Sequence, residues 1–156
     1  MYILIVLIGI ILDQVTKYWA FVALKGGRSI EVIDKFLYFT YSENSGAAWG
    51  MFKNATLFFT ILTISVVIGI IWHMLKNRNN IDMFVKLPLA MIISGAIGNL
   101  IDRIRLGYVI DFIFSPLGGL YDFPIFNLAD MYISVATIML IVYILFFEGK
   151  DEITKQ

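Results

Sequence analysis

Residues 126–147 read FNLADMYISVATIMLIVYILFF: an Asn, an Asp three positions on, and then an apolar run to Phe147. A bilayer-crossing helix needs about 20 predominantly apolar residues, which Leu128–Phe147 supplies. Asn127 before the run and Asp130 within its first turn make a capping-box-like helix start. Such a start fixes where the Asp130 carboxylate stands, so capping does not compete with a chemical use of it. Working outward, three more segments have comparable length and character: about Tyr2 to Leu24, Ala55 to Leu75 and Leu87 to Ile104. The third is expected to open at Pro88, since a missing N–H costs little in a first helical turn. The fold class is therefore mainly α and integral to the membrane: four transmembrane helices in one membrane-embedded domain, residues 1–156.

Composition agrees. The chain is 60% hydrophobic and only 15% charged, with mean hydropathy +0.84, whereas a soluble domain carries roughly a quarter charged residues. Formal net charge is zero, so no basic face points to nucleic acid. There is no cysteine, which removes disulfides, thiolate nucleophiles and Cys-ligated metals. The single histidine, His73, lies beside Lys76 and Arg78 at the end of an apolar run and reads as an interfacial surface residue. A two-histidine zinc motif is impossible with it. The first span has no Lys or Arg before Lys17 and no clear small-x-small site after it, so it does not read as a cleaved signal peptide.

Four crossings put both termini on one side with the loop at 76–86, and residues 25–54 and 105–127 on the other. Lys and Arg are nearly balanced between the two, so the positive-inside rule assigns no orientation. Ile30–Ile33 and Phe36–Tyr41, separated by Asp34-Lys35, read as a small β-hairpin. Its aromatics suit the headgroup region, and Phe36, Tyr38 and Phe39 beside Asn44 are expected to form an apolar cradle. The stretch Phe114–Leu120, with Pro116, Gly118 and Gly119, reads as a turn in a second outer loop with freedom to move.

Polar residues inside such a chain need a reason, because a carboxylate in low dielectric must be paired, protonated or used. Asp13 and Lys17, at i and i+4, share a helix face and can pair. Either the pair merely lets the helix insert, or it belongs to a polar site. Asn99, Asp102 and Arg103 share a face of the third span, above Ser94, Gly95 and Gly98, which are small enough to admit a neighbouring helix or a peptide. The plainer reading there is helix packing with an Asp-Arg pair. Asn44 precedes a Gly/Ala-rich turn and has the donors and acceptor to hold a substrate's backbone amide. Asp111, in Val109-Ile110-Asp111-Phe112, has no such capping role, and a merely structural use is the weaker of its two readings. Brought to one site, Asp111 and Asp130 would share a proton, leaving one acid and one base for amide hydrolysis.

These segments together resemble the lipoprotein signal peptidase family (signal peptidase II) over nearly the whole chain. The matching boxes, in the family's order, are Asp13-Gln14-x-x-Lys17, Asn44-x-Gly46-Ala47-Ala48-Trp49-Gly50, Gly95–Arg103, Val109–Phe112 and Phe126–Asp130. Ser94 stands where many members have another glycine. The resemblance implies a bacterial aspartic-type endopeptidase that removes the signal peptide from diacylglyceryl-modified prolipoproteins, cutting before the lipidated cysteine. It implies Asp111 and Asp130 as the catalytic dyad. Asp13, Lys17, Asn44, Gly98, Asn99, Asp102, Arg103, Asn127 and Ala129 fall among its supporting and substrate-contacting positions. It further implies no cofactor and no metal, and a monomer working among membrane lipids on lipidated prolipoprotein signal peptides. The place implied is the bacterial cytoplasmic membrane, with both termini cytoplasmic and the active site near the extracytoplasmic face. The competing class is a small proton- or ion-coupled transporter using the buried carboxylates. Against it, the chain shows no inverted repeat and no matched broken helices. A purely structural membrane subunit would leave the aspartates without purpose.

Overall fold

The computed structural model describes residues 2–46 and 55–147. Four helices carry the fold: α1 (Tyr2–Leu24), α2 (Thr56–Lys76), α3 (Met83–Leu106) and α4 (Leu128–Phe146). All four are long and apolar enough to cross a membrane. α3 is the centre of the bundle, contacting each of the other three. The contrast with α2 is sharp: 44% of the most apolar window of α3 is buried, and 6% of that of α2. Packing explains this. Small residues on α3 allow close approach, whereas α2 presents Leu57, Ile61, Ile68 and Trp72 outward, where lipid solvates them. α2 touches α3 through Val67, which packs with Ile93 and Ala96.

The third helix starts earlier than expected. Asp82 caps it, accepting from the Phe84 N–H at 2.7 Å. Pro88 therefore lies inside the helix, about a turn and a half in, rather than opening it. The helix ends on Gly107 in the left-handed region at φ 81°, where its N–H donates to the Arg103 carbonyl.

The β structure between the helices is larger than one hairpin. β1 (Ser29–Ile33) and β2 (Leu37–Asn44) form the expected hairpin, but β3 (Val109–Ser115) and β4 (Phe123–Phe126) extend it to a sheet of order β1-β2-β3-β4, antiparallel throughout. The stretch expected as a free turn is tied down. Phe114 and Ser115 belong to β3, and a single 3-10 turn spans Leu117–Gly119. The Gly118 N–H donates to the Lys35 carbonyl at 2.8 Å, and Ser115 Oγ donates to the Phe36 carbonyl at 2.7 Å. Gly118, at φ 72°, also lies close under the Phe36 ring, so a side chain there would be strained by its backbone and would press on that ring.

β3 connects sheet and bundle. Ile110 and Phe112 pack on Ala20 and Leu24 at the end of α1. Because side chains alternate along a strand, Asp111 between them points the other way. The anticipated aromatic cradle is used differently. Phe39 turns inward, edge-on to Trp19 at 5.4 Å and tilted on Phe112 at 6.2 Å, as part of this core. Farther along β2, Glu43 accepts from Lys25 Nζ at 3.0 Å and from Tyr41 Oη at 2.9 Å, bonds that hold its carboxyl below the usual range. Residues Ala47 to Gly50 of the Gly/Ala-rich turn lie outside the described residues.

Candidate active site

α3 approaches two neighbours by backbone. A Cβ on Gly95 would run into the Ala129 carbonyl, and one on Gly98 would run into the Asp13 carboxylate. The small residues therefore serve helix packing, and that packing brings three elements to one place. The start of α4, the middle of α1 and the last turns of α3 converge beneath β3.

At the start of α4 the capping box forms in full. Asn127 Oδ1 accepts from the Asp130 N–H at 3.1 Å, and Asp130 Oδ2 accepts from the Asn127 N–H at 3.1 Å. The other oxygen of Asp130 accepts from Asn99 Nδ2 at 2.8 Å. Asp111 arrives from β3. Its Oδ1 accepts from Asn127 Nδ2 at 2.7 Å and its Oδ2 from Asn44 Nδ2 at 2.9 Å. Register explains the second bond: Ser42 opposes Asp111 and Asn44 opposes Val109, so Asn44 is a diagonal neighbour on the same face. Asn44 Oδ1 meanwhile accepts from the Gly46 N–H at 3.0 Å.

Behind the dyad lies a dry charged cluster. Asp13 and Lys17 are 0% and 1% exposed, and Asn127, Asp111, Asp102 and Asn99 are also buried. Lys17 Nζ reaches Asp13 Oδ2 at 2.9 Å, Asp102 Oδ2 at 3.0 Å and Asn99 Oδ1 at 2.8 Å. The i, i+4 pair exists, and it is also part of the polar site. The Asp-Arg pair weighed for α3 does not form: Asp102 turns to Lys17, while Arg103 places its guanidinium 5.6 Å from the Phe59 ring centre. Neighbours in a helix do not face each other.

Asp111, Asp130, Arg103 and Asn44 line one cavity of about 450 Å³, whose apolar wall comes from β4 and α4, with Phe123, Phe126, Met131 and Val135. Burial first, and then the charge of Asp130, push the Asp111 carboxyl from its ordinary 3.8 up to about 7, against the pull of the Asn44 and Asn127 hydrogen bonds. An acid that can still hold a proton near neutrality thus faces a second carboxylate, in a pocket apolar enough to keep charges strong.

Every residue that the resemblance implies as catalytic or supporting lies in or against this site. Gly98 and Ala129 act through the backbone: Gly98 through its missing Cβ and its carbonyl, Ala129 through an N–H that donates to Asp13 Oδ1 at 3.0 Å. One participant was not singled out. Gln14 Nε2 lies within reach of Asp13 Oδ2 at 3.2 Å, the Gly98 carbonyl at 3.1 Å and Asp102 Oδ1 at 3.2 Å. An amide beside an aspartate within an apolar helix was the available signal. The β4 wall left no signal of its own, since a short run with Pro124 in it reads as loop.

Comparison with known proteins points the same way. The family described as Signal peptidase (SPase) II matches residues 5–146. A lipoprotein signal peptidase of Clostridium tetani is 46% identical over 152 residues, 97% of each chain. One of Clostridium novyi is 43% identical over 150 residues, covering 96% of this chain and all of the relative. One of Staphylococcus aureus is 41% identical over 143 residues, 92% of this chain and 86% of the other. Among solved structures, a bacterial membrane enzyme determined by the in meso method at 2.3 Å superposes with TM-score 0.83 at 40% identity, covering 92% of this chain and 87% of that one. A second such structure, at 1.9 Å, gives TM-score 0.82 at 39% identity, with 94% and 93% covered. The multi-pass membrane bundle, the carboxylate site and these matches across almost the whole length agree: the chain belongs to the signal peptidase II family.

Proposed function

We propose that Asp111 and Asp130 are the catalytic pair with which this chain, an aspartic-type endopeptidase, removes signal peptides from prolipoproteins. The observation that carries the reading is the meeting of these two carboxylates at one apolar cavity, each held by amide donors and each from a different element. The shared proton resides on Asp111, the more deeply buried of the two, and Asp130 is the base. Asp130 takes a proton from water as the oxygen attacks the scissile carbonyl, and Asp111 gives its proton to the carbonyl oxygen. In the collapse of the resulting gem-diol, Asp111 takes a proton back and Asp130 passes one to the leaving amine. The C–N bond breaks and the pair regains its starting state.

The substrate is a prolipoprotein already carrying diacylglyceryl on the cysteine after the cut. The apolar wall of Phe123, Phe126, Met131 and Val135 supports this, since it offers a lipid-bearing residue a surface next to the dyad. The site lies near the outer face of the cytoplasmic membrane, with both termini cytoplasmic. The dyad and its supports all come from one chain, which is consistent with a monomer. Nothing in the family relationship supports the transport alternative.

The test is cleavage of a lipidated precursor by purified protein in detergent, without metal, ATP or an ion gradient. The wild type should cut it, and Asp111→Asn should insert and still melt cooperatively while losing at least roughly 10²-fold in turnover. An Asp111→Asn enzyme with most of its activity left would falsify the aspartyl mechanism. Reporter fusions at Asn79 and Ser29 should report opposite sides, with Asn79 cytoplasmic; a cytoplasmic Ser29 would remove the assigned orientation.

A further inference from the structure

The two buried carboxylates that take no part in the chemistry occupy matching places. Asp13 Oδ1 accepts from the backbone N–H of Ala129, the residue before Asp130, at 3.0 Å. Asp102 Oδ2 accepts from the backbone N–H of Ile110, the residue before Asp111, at 3.1 Å. Each catalytic aspartate therefore follows a peptide unit anchored to a carboxylate from another helix. Between the anchors stands a single ammonium: Lys17 Nζ is 2.9 Å from Asp13 and 3.0 Å from Asp102. Its remaining donor goes to Asn99 Oδ1 at 2.8 Å, which also accepts from Asn127 Nδ2 at 3.1 Å. With two donors on its oxygen, the Asn99 amide can turn only its NH₂ toward Asp130.

We infer that Lys17 is a positioning residue: its ammonium ties together the two carboxylates that anchor the backbone before Asp111 and Asp130, and so sets the spacing of the dyad. An ammonium suits this because it offers three donors from one compact point, and Lys17 uses one on each of three partners. Counter-ion duty alone would need one partner. It would not require Lys17 to face the anchors of both aspartates, nor to orient the amide that bonds one of them. Gln14, in reach of both Asp13 and Asp102, closes the same link from the outer side. The inference rests on the dyad proposed above.

Charge neutralisation and positioning are separated by removing all three charges together. In Asp13→Asn/Lys17→Met/Asp102→Asn each new amide oxygen still accepts its backbone N–H, and no buried charge is left unpaired. If Lys17 only neutralises, this variant should regain both melting temperature and kcat. If it sets the spacing, the melting temperature should return while kcat stays down by roughly 10²-fold with KM nearly unchanged, the loss associated with about 1 Å of misplacement. Wild-type kcat in the neutral variant overturns the inference. Should that variant show no cooperative melt, Lys17→Arg decides. It keeps the charge but replaces the three-way ammonium by a planar fork. A fall in kcat at constant KM and melting temperature supports the inference, and a wild-type kcat overturns it. Asp111→Asn in the same assay keeps the failures apart. Activity there removes the dyad itself, whereas an inactive Asp111→Asn beside a fully active Lys17→Arg removes only the positioning role.

Discussion

Asp130 and Asp111 reach one cavity from opposite kinds of structure. Asp130 is the third residue of α4, and one of its oxygens bonds the N–H of its own N-cap, as an acid at that position does in any well-capped helix. Asp111 sits on an inner strand whose first four residues are all buried, and its donors are side chains from β2 and from the N-cap of α4. One carboxylate is stabilised by what is local to it. The other depends on distant groups and carries the larger cost of burial. In the proposed mechanism this asymmetry is what lets two identical side chains divide the work of acid and base, the more deeply buried Asp111 keeping its proton.

The comparison breaks most visibly if either carboxylate is neutralised. Asp111→Asn and Asp130→Asn should each lower turnover by roughly 10²–10⁴-fold, because an amide neither accepts a proton from water nor donates one to an amine. The double variant should be scarcely slower than either single one, as groups that act as a unit are strongly non-additive. Initial rates on a lipidated precursor measure this, and a multiplicative double loss would mean that the two do not share a proton.

Replacing the private donors sharpens it. Of the two aspartates, Asn44→Ala takes a bond only from Asp111, and it also removes the acceptor of the Gly46 N–H. Asn99→Ala removes a bond from Asp130 and also the acceptor of Lys17. The second should cost more, about 10²-fold in kcat against about tenfold, since it leaves a buried ammonium one partner short. Equal losses would argue against the asymmetry.

Acidity gives a smaller but directional effect. Asp111 in the folded protein holds its proton up to about pH 7, well above its ordinary 3.8. Its stabilising contribution is therefore complete below the unfolded value and is lost as pH rises through about 7. In the proposed mechanism the same proton is the one donated, so kcat/KM should fall as pH rises through this value, by about tenfold per unit once past it. Melting curves of the wild type should decline over the window from about 4 to about 7, and those of Asp111→Asn should lose that share of the slope. A rate that climbs steadily through neutrality would reverse the assignment of acid and base.

The same contrast explains what the sequence made legible. Asp130 was readable because Asn127, Asp130 and the run behind them form a local pattern that needs no tertiary partner. The four spans were readable for the same reason, and so was the first hairpin, with its β-branched pairs around a two-residue break. Asp111 stood out as an isolated acid, but the strand beneath it did not. Val109–Ser115 is buried at one end and nearly continuous in apolar character, without the alternation that marks a half-exposed strand. β4 hid behind Pro124, tolerated there because β4 is the edge of the sheet. A rule about first turns places Pro88 at the start of α3, whereas the structure starts the helix at the Asp82 cap. The link from Lys17 to Asp102 spans 85 positions, and nothing in a single sequence specifies such a pairing. That link, and the Asn99 amide it orients, had to come from packing around Gly95 and Gly98.

Asn127 is where the two aspartates meet in one side chain, so it offers the finest separation. Its Oδ1 caps α4 by accepting from the Asp130 N–H, and its Nδ2 donates to Asp111. Serine caps helices about as well as asparagine but has no amide to reach Asp111. Asn127→Ser should therefore keep the cap and lose the donor, lowering kcat about tenfold with a small change in melting temperature. Asn127→Ala should lose both, with a similar kcat and a further destabilisation of about 1 kcal/mol from the missing cap. The comparison of interest is thus between the two variants: equal rates but unequal stability. If serine restores activity along with stability, the cap alone positions the dyad, and the bond to Asp111 contributes nothing that the helix start does not already supply.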